Sequence, residues 1–590
     1  MKELLEILSE EVGASFAAAG IDAEYGNVTL SNRPELCEYQ CNGALASAKK
    51  FHKNPMEVAE AVAEKLSASD TFEEVFAAKP GFLNMKASPE FIRKYLCGMY
   101  EDTERLGAER TANPEKLFMD YGGPNVAKPL HVGHLRSAVI GEAVKRLARF
   151  EGNDVTADVH LGDFGLQMGL IITELKERKP DLPYFDESFA GEYPAEAPFT
   201  ISELEDIYPA ASAKSKEDES FHEKALAATK EMQEGRRGYR ELQRQIMEIS
   251  VSDLKKNYAR LNVNFDLWKG ESDAEPYISG MVEDMKAKGF AHESNGALVV
   301  DVEEEGDKKT IPPCMILKSD GAALYDTTDL ATLIWRMKDY DPDEVLYVVD
   351  SRQELHFIQC FRCAKKTGIV PVNKKLTFLG FGTVNGEGGK PLKTRDGGVM
   401  RLEYLISDIE DAMFEKIRES SPDMDEAEAH DIAKTVSLAA LKYGDLKNQP
   451  SKDYIFDMKK FISSEGDTGP YILYTIVRTK SILRKFAEEG GDMTCVVPAA
   501  PSGASDKALA ERLCLFQSEV RGACENLSPN ILCAYIYALC NDFNHFYHDT
   551  KILSCPDEGK KKGYIADVLL TQRVLEKSID LLGFEAPERM

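Results

Sequence analysis

The chain has 590 residues, is 43% hydrophobic and 29% charged, and carries 72 basic against 100 acidic side chains, a net charge of −28. That length holds two to four domains with full cores, and the composition is that of a globular protein, not a disordered, fibrous or membrane-spanning one. The acidic total excludes a sequence-blind nucleic-acid binder but not a protein with a local basic face, because phosphate contacts are counted at the interface.

Met1 to Gly20 predicts an amphipathic helix over Lys2–Ala19 with several glutamates and no arginine. That is unlike a secretory or mitochondrial leader, so a cytoplasmic location and no membrane partner are expected. A helix over Pro55–Leu66 and a strand at Phe82–Met85, after the Pro80-Gly81 turn, complete an N-terminal α+β domain at 1–110. From 111 to 400 strands alternate with helices. The strand candidates are Leu117–Tyr121, Asp154–Val159, Ala297–Val302, Val345–Val349 and Leu376–Phe381. Such alternation predicts a Rossmann-like, doubly wound parallel sheet. Within it, 179–224 is rich in Pro, Glu and Ser and reads as an exposed, partly helical insertion. From 401 to 590 the pattern is helical, with Pro422, Pro450, Pro498 and Pro529 marking boundaries, and predicts an all-α bundle. The fold class is therefore α/β with an N-terminal α+β domain and a C-terminal helical domain.

Twelve cysteines without a framework fit a reducing compartment. Cys360 and Cys363 have CxxC spacing, but no second pair or histidines follow at a matching distance. They read as helix core; no metal ligand and no structural zinc are expected.

The most informative segment is Asp120-Tyr-Gly-Gly-Pro-Asn125-Val-Ala-Lys128-Pro-Leu-His131-Val-Gly133-His134-Leu-Arg-Ser137. A strand enters a Gly/Pro loop, and a helix follows whose apolar positions Leu135, Val139, Ala143, Leu147 and Phe150 recur at helical spacing until Gly152-Asn153. His131 and His134 sit in its first turn, where free N–H groups and the positive end of the dipole make an anion site. Gly133 admits a ligand closely, and Lys128 adds a charge aimed at the same spot. This is the layout of a nucleotide-phosphate site and points to chemistry on ATP.

Four further segments gain meaning beside it. The glycine-rich stretch 382–398 carries Lys390, Lys393 and Arg395 but lacks the P-loop spacing; alone it is a solvated loop, and paired with the histidines it becomes a clamp on phosphates. Tyr325, Asp326 and Asp329 stand at a helix start, either as caps or, with Asp120, as an acidic pocket for a cationic substrate. Arg352, Gln353 and His356 follow a strand end, where doubly wound enzymes hold ligands. The helix after Gly469-Pro470 carries Arg478, Lys480, Arg484 and Lys485, candidates for RNA-backbone contact or a solvated face, while Phe543-Asn-His545-Phe546-Tyr547 reads as packing.

Pro124 to Ser137 resembles the His-Ile-Gly-His signature of class I aminoacyl-tRNA synthetases as arginyl-tRNA synthetases write it. In the same order come His160–Gln167, Phe265–Ser272, Leu324–Asp329, Lys390–Arg395, Gly466–Tyr471 through Arg478, and Leu582–Met590. Residues 1 to about 110 resemble the extra N-terminal domain of that family. The resemblance implies activation of L-arginine by ATP, with Mg²⁺ on the nucleotide, and transfer to the 3′ end of tRNA(Arg). It implies that His131, His134, Lys128, Lys390 and Lys393 act in catalysis and that His131, Gly133, His134, Lys393 and Thr394 hold ATP. Asp120, Asn125, Tyr325, Asp329 and Gln353 fall at the arginine-pocket positions. The C-terminal domain is implied to read the anticodon, with Tyr471, Arg478, Lys480 and Arg484 as candidate tRNA contacts, in a monomer. Recognition of a guanidinium by paired polar groups rejects analogues that lack it, so no editing domain is required. Three positions depart from the family: Gly122-Gly123 replaces hydroxyl residues, the second signature is degenerate, and Thr328 replaces an arginine.

Overall fold

The computed structural model describes residues 1–590 except 129, 391 and 393–399, and it divides into two compact units. One unit gathers residues 1–111, 463–581 and 585–590; the other holds 112–462 with 582–584. Among the described residues no helix is long and apolar enough to cross a membrane.

In the first unit a four-stranded antiparallel sheet runs in the order Val28–Leu30, Tyr39–Cys41, Phe82–Ala87, Phe72–Ala78. Helix Pro55–Leu66 begins where the sequence predicts: Asn54 accepts the Met56 N–H and Pro55 fills the first position, where no N–H is needed. Five long helices, Gly469–Glu488, Ala504–Cys514, Phe516–Glu525, Pro529–Asp549 and Glu558–Leu581, join this N-terminal segment in one body. Lys507 to Glu38 (2.6 Å) and Arg521 to Glu3 (2.7 Å) are ion pairs inside it.

The second unit is built on five parallel strands, β1 (Lys116–Tyr121), β2 (Asp154–Leu161), β3 (Leu267–Gly270), β4 (Glu344–Asp350) and β5 (Lys375–Phe381), in the spatial order β5-β4-β1-β2-β3. Phe118, Met119, Tyr121, Val345 and Val348 are fully buried, as expected where helices cover both faces of a parallel sheet. From β1 the chain progresses outward to β2 and β3, then returns to lay β4 on the other side of β1. The crevice at the carboxyl ends of β1 and β4 is thus the topological switch point, where such sheets bind ligands. Helices α1 (Val132–Glu151), α2 (Tyr325–Asp339) and α3 (Glu354–Thr367) bring their first turns to that end.

Two expectations change and a third gains detail. Ala297–Val300 lies outside the parallel sheet and pairs antiparallel with Ala291–Ser294 and Cys314–Leu317. Asn295 and Gly296 (φ +51° and +81°) make the tight turn of that hairpin, a pairing of residues suited to left-handed backbone. The insertion is partly helical, as expected, and helices Ile201–Glu217 and Glu219–Gln233 close a small core of Leu170, Ala211, Phe221 and Ala225. Finally, helices Leu402–Ser420 and Glu426–Leu446 cluster with the parallel sheet, not with the C-terminal helices. The reason is a buried tie: Arg136 of α1 pairs with Asp445 (3.0 Å) and donates to the carbonyls of Gly382 and Lys452. Removing one partner of such a buried pair costs about 3–5 kcal/mol, because the other charge is left uncompensated.

Candidate active site

At the switch point lies a cavity of about 680 Å³. It brings together His131, Gly133 and His134 of the α1 turn, Asp120 and Asn125, Tyr325 and Asp329 of α2, and Gln353 before α3. Its backbone path relies on glycine: Gly122 has φ +73°, and a Cβ on Gly123 would come 2.1 Å from the His160 carbonyl oxygen.

The two histidines cap their own helix. The Gly133 N–H donates to His131 Nδ1 (3.0 Å), and the His131 N–H donates to His134 Nδ1 (3.1 Å). The rings stack with centroids 3.9 Å apart, over Gly133, where a Cβ would lie 2.8 Å from His131 Cε1. A ring nitrogen that accepts a backbone N–H carries no proton, so in each neutral ring the proton sits on Nε2. Burial lowers the pKa of both, with Lys128 adding repulsion, and His134 is brought to about 3. The helix start therefore presents two neutral N–H donors beside the positive end of its dipole.

The opposite wall is acidic. His356 lies between Asp326 (Nδ1 to Oδ1, 2.6 Å) and Asp329 (Nε2 to Oδ2, 2.5 Å). Burial opposes its charge, but the hydrogen bonds to both carboxylates prevail and raise its pKa to about 10. Asp120 at the floor is already engaged: the buried Arg336 pairs with it at 2.6 Å and with Asp158 at 3.1 Å. Glu271, which follows the edge strand β3, also lines the cavity. Burial, with Asp163 and Asp329 nearby, pushes its carboxyl up to about 7 against the pull of His160. Sequence reasoning did not single out Glu271, although it lies within the Phe265–Ser272 segment.

Other predicted residues are distributed differently. Lys128 lines an adjoining hollow of about 380 Å³ with its ammonium 4.5 Å from the centre of the Tyr208 ring. The two spaces share Asn125, Glu271 and Tyr325. Lys390 is exposed and its carbonyl accepts the Gly386 N–H at 2.6 Å. Lys393, Thr394 and Arg395 lie outside the described residues. The far end of their loop is fixed, since the Val132 N–H donates to Met400 and the Leu402 N–H to Leu130, immediately beside the histidines. Thr328 is buried and donates to the Tyr325 carbonyl at 3.0 Å.

In the helical unit, Arg478 hydrogen-bonds Asn544 and lies between the rings of Tyr474 (5.0 Å) and Tyr547 (5.2 Å), both exposed. Phe543 and Phe546 are buried, as read, but Tyr547 is not. Tyr471 is half-buried and donates to Asn541 at 2.7 Å. Lys480 is enclosed by Glu576 (3.1 Å) and Glu588 (2.8 Å), while Arg484 is exposed.

Comparison with known proteins fits this arrangement. A family model described as tRNA synthetases class I (R), catalytic domain, matches residues 100–458; a DALR anticodon binding domain matches 472–590; and an arginyl tRNA synthetase N terminal domain matches 2–87. A curated protein of Agathobacter rectalis named arginine–tRNA ligase is 61% identical, and one of that name from Alkaliphilus oremlandii is 53% identical, each covering 100% of both chains. The fold matches the solved arginyl-tRNA synthetases of Plasmodium falciparum (TM-score 0.80, 24% identity) and Thermus thermophilus (TM-score 0.77, 23% identity), again with 100% of both chains covered.

Proposed function

The chain belongs to the arginyl-tRNA synthetase family and is an arginine–tRNA ligase, and we propose that the cavity between β1 and β4 is where it joins arginine to ATP. The arginine carboxylate attacks the α-phosphorus, the bond to pyrophosphate breaks, and the terminal ribose hydroxyl of tRNA(Arg) then displaces AMP from the adenylate. Phosphoryl chemistry of this kind asks the protein for position and charge stabilisation.

The observation that carries the reading is the pair of stacked histidines. With both Nδ1 atoms held by backbone N–H groups, both Nε2–H donors, unpartnered among the described residues, can meet phosphate oxygens as charge develops. Gly133 leaves room for the nucleotide. Lys128, Lys390, Lys393 and Thr394 supply cations and a hydroxyl to the same phosphates. Mg²⁺ enters as part of MgATP, because that ion prefers phosphate oxygens and water to an all-protein cage.

Asp329 and Glu271 take the guanidinium, whose planar fork suits carboxylates, and Tyr325 covers it. Asn125 and Gln353 meet the amino-acid end, and Asp120, already paired to Arg336, shapes the floor. In the helical unit the Tyr474–Arg478–Tyr547 arrangement supports stacking of unpaired anticodon bases, with Tyr471 and Arg484 alongside. Lys480 is set aside, its charge already met by two glutamates. Residues 112–462 carry the activation step and the helical segment from 463 onward carries the tRNA contacts, in a cytoplasmic monomer.

The test is ATP–pyrophosphate exchange with tRNA(Arg) present, comparing arginine with lysine. Exchange specific to arginine is expected; equal exchange with both, or none, overturns the assignment of the pocket.

A further inference from the structure

We propose that Asp326, His356 and Cys360 form a binding site for a thiophilic divalent cation of the zinc class, set behind Asp329. One ligand atom from each, a carboxylate oxygen, an imidazole nitrogen and a thiol sulfur, lie within 4.8 Å of one another. His356 and Cys360 are four residues apart on α3 and so share one helix face. Asp326 comes from the first turn of α2.

The spacing suits a small ion. Cys360 Sγ is 3.7 Å from His356 Nε2, 3.9 Å from His356 Nδ1 and 3.9 Å from Asp326 Oδ1. Zinc bonds of about 2.3 Å to sulfur and about 2.0–2.2 Å to nitrogen or oxygen set tetrahedral ligands roughly 3.3–3.6 Å apart. The sulfur needs a shift of a few tenths of an ångström. The Asp326–His356 contact of 2.6 Å must open as the ion replaces the shared proton.

The surroundings supply a second argument. Metal-bound histidines hold their other ring nitrogen against a carboxylate, which orients the ring. Here, with Nδ1 turned to Asp326, the Nε2 atom is held by Asp329 at 2.5 Å. The other oxygen of Asp326 accepts the Met315 N–H at 3.2 Å, fixing that ligand too. Cys360 is buried, whereas Asp326 and His356 keep some exposure, so an ion can reach the site and a water can fill its fourth position. Cys314 and Cys363 pack next to Cys360 but fall outside the three-ligand cluster. Cys360 and Cys363 are buried in α3, as the sequence predicts for helix core, and the proposed partners of Cys360 come from the preceding turn and from another helix, where CxxC spacing does not point.

The experiment is titration of reduced, chelator-treated full-length protein with Co²⁺, followed by competition with Zn²⁺. One equivalent giving tetrahedral d–d bands and a thiolate charge-transfer band is expected, displaced by Zn²⁺. Cys360→Ser should remove the charge-transfer band, and Asp326→Asn, which keeps the core intact, should weaken binding at least tenfold. Asp329→Asn should weaken it roughly 10–100-fold while the band survives, the mark of an orienting carboxylate. Cys363→Ser should leave the spectrum unchanged. No saturable tetrahedral spectrum in the parent protein, or one unaltered by Cys360→Ser and Asp326→Asn, overturns the proposal and places any binding elsewhere, such as exposed Cys495 beside Asp492.

Discussion

On one wall of the cavity His131 and His134 accept backbone N–H groups, sit near Lys128 and are held neutral; on the other, His356 lies between Asp326 and Asp329 and is held charged. The same side chain therefore does opposite electrostatic work a few residues from one ligand space. On the proposed reading, the wall that meets the nucleotide offers neutral N–H donors whose hydrogen bonds strengthen as negative charge appears. The wall proposed to meet the guanidinium offers carboxylates, and an imidazolium between them moderates their mutual repulsion. Partners, not residue type, set the charge.

The comparison breaks most sharply at His134. His134→Ala removes one transition-state donor and should lower the adenylation rate about 10²–10³-fold with little change in the arginine Michaelis constant, read by tRNA-dependent exchange. A change below threefold removes His134 from the transition state. On the acidic wall, Asp329→Asn loses a charge-assisted hydrogen bond worth about 1.5–3 kcal/mol. The Michaelis constant for arginine should climb roughly ten- to hundredfold and that for ATP less than threefold; equal rises would dissolve the division between the walls. The smallest effect lies outside the cavity. Arg478→Ala unsupports the tyrosine pair and, with stacking near 1–3 kcal/mol per base, should raise the Michaelis constant for tRNA(Arg) about tenfold. An unmodified anticodon preference and constant would mean that Tyr474 and Tyr547 are only surface.

Much of this was legible in the chain. β1, the glycine loop and α1 announce themselves, because strand propensity, Gly122-Gly123-Pro124 and a 3.6-residue apolar period follow one another without conflict. Asp120, Asn125, His131, Gly133 and His134, which the sequence picks out in that unit, line one cavity for the same reason. Glu271 was harder: β3 is four residues long with a lysine and a tryptophan, too short for a period to show, so the carboxylate at its end went unremarked. The state of Asp120 depends on Arg336, and that of Lys480 on Glu576 and Glu588, partners distant in sequence that no local pattern reveals. The placement of helices 402–446 turned on Arg136 and Asp445, one buried pair across three hundred residues. Patterning gives elements; tertiary partners give charge states.

Ring ¹⁵N chemical shifts of the ten histidines test the central claim directly, with His134 and His356 assigned by substitution. The folded-state pKa of His134 lies below that of a free imidazole and that of His356 above it. In chelator-treated, metal-free protein between about pH 5 and 9 His134 should therefore remain neutral with its proton on Nε2, while His356 remains doubly protonated and loses charge only near pH 10. An imidazolium at His134 at pH 7, or a neutral ring at His356, would contradict the account.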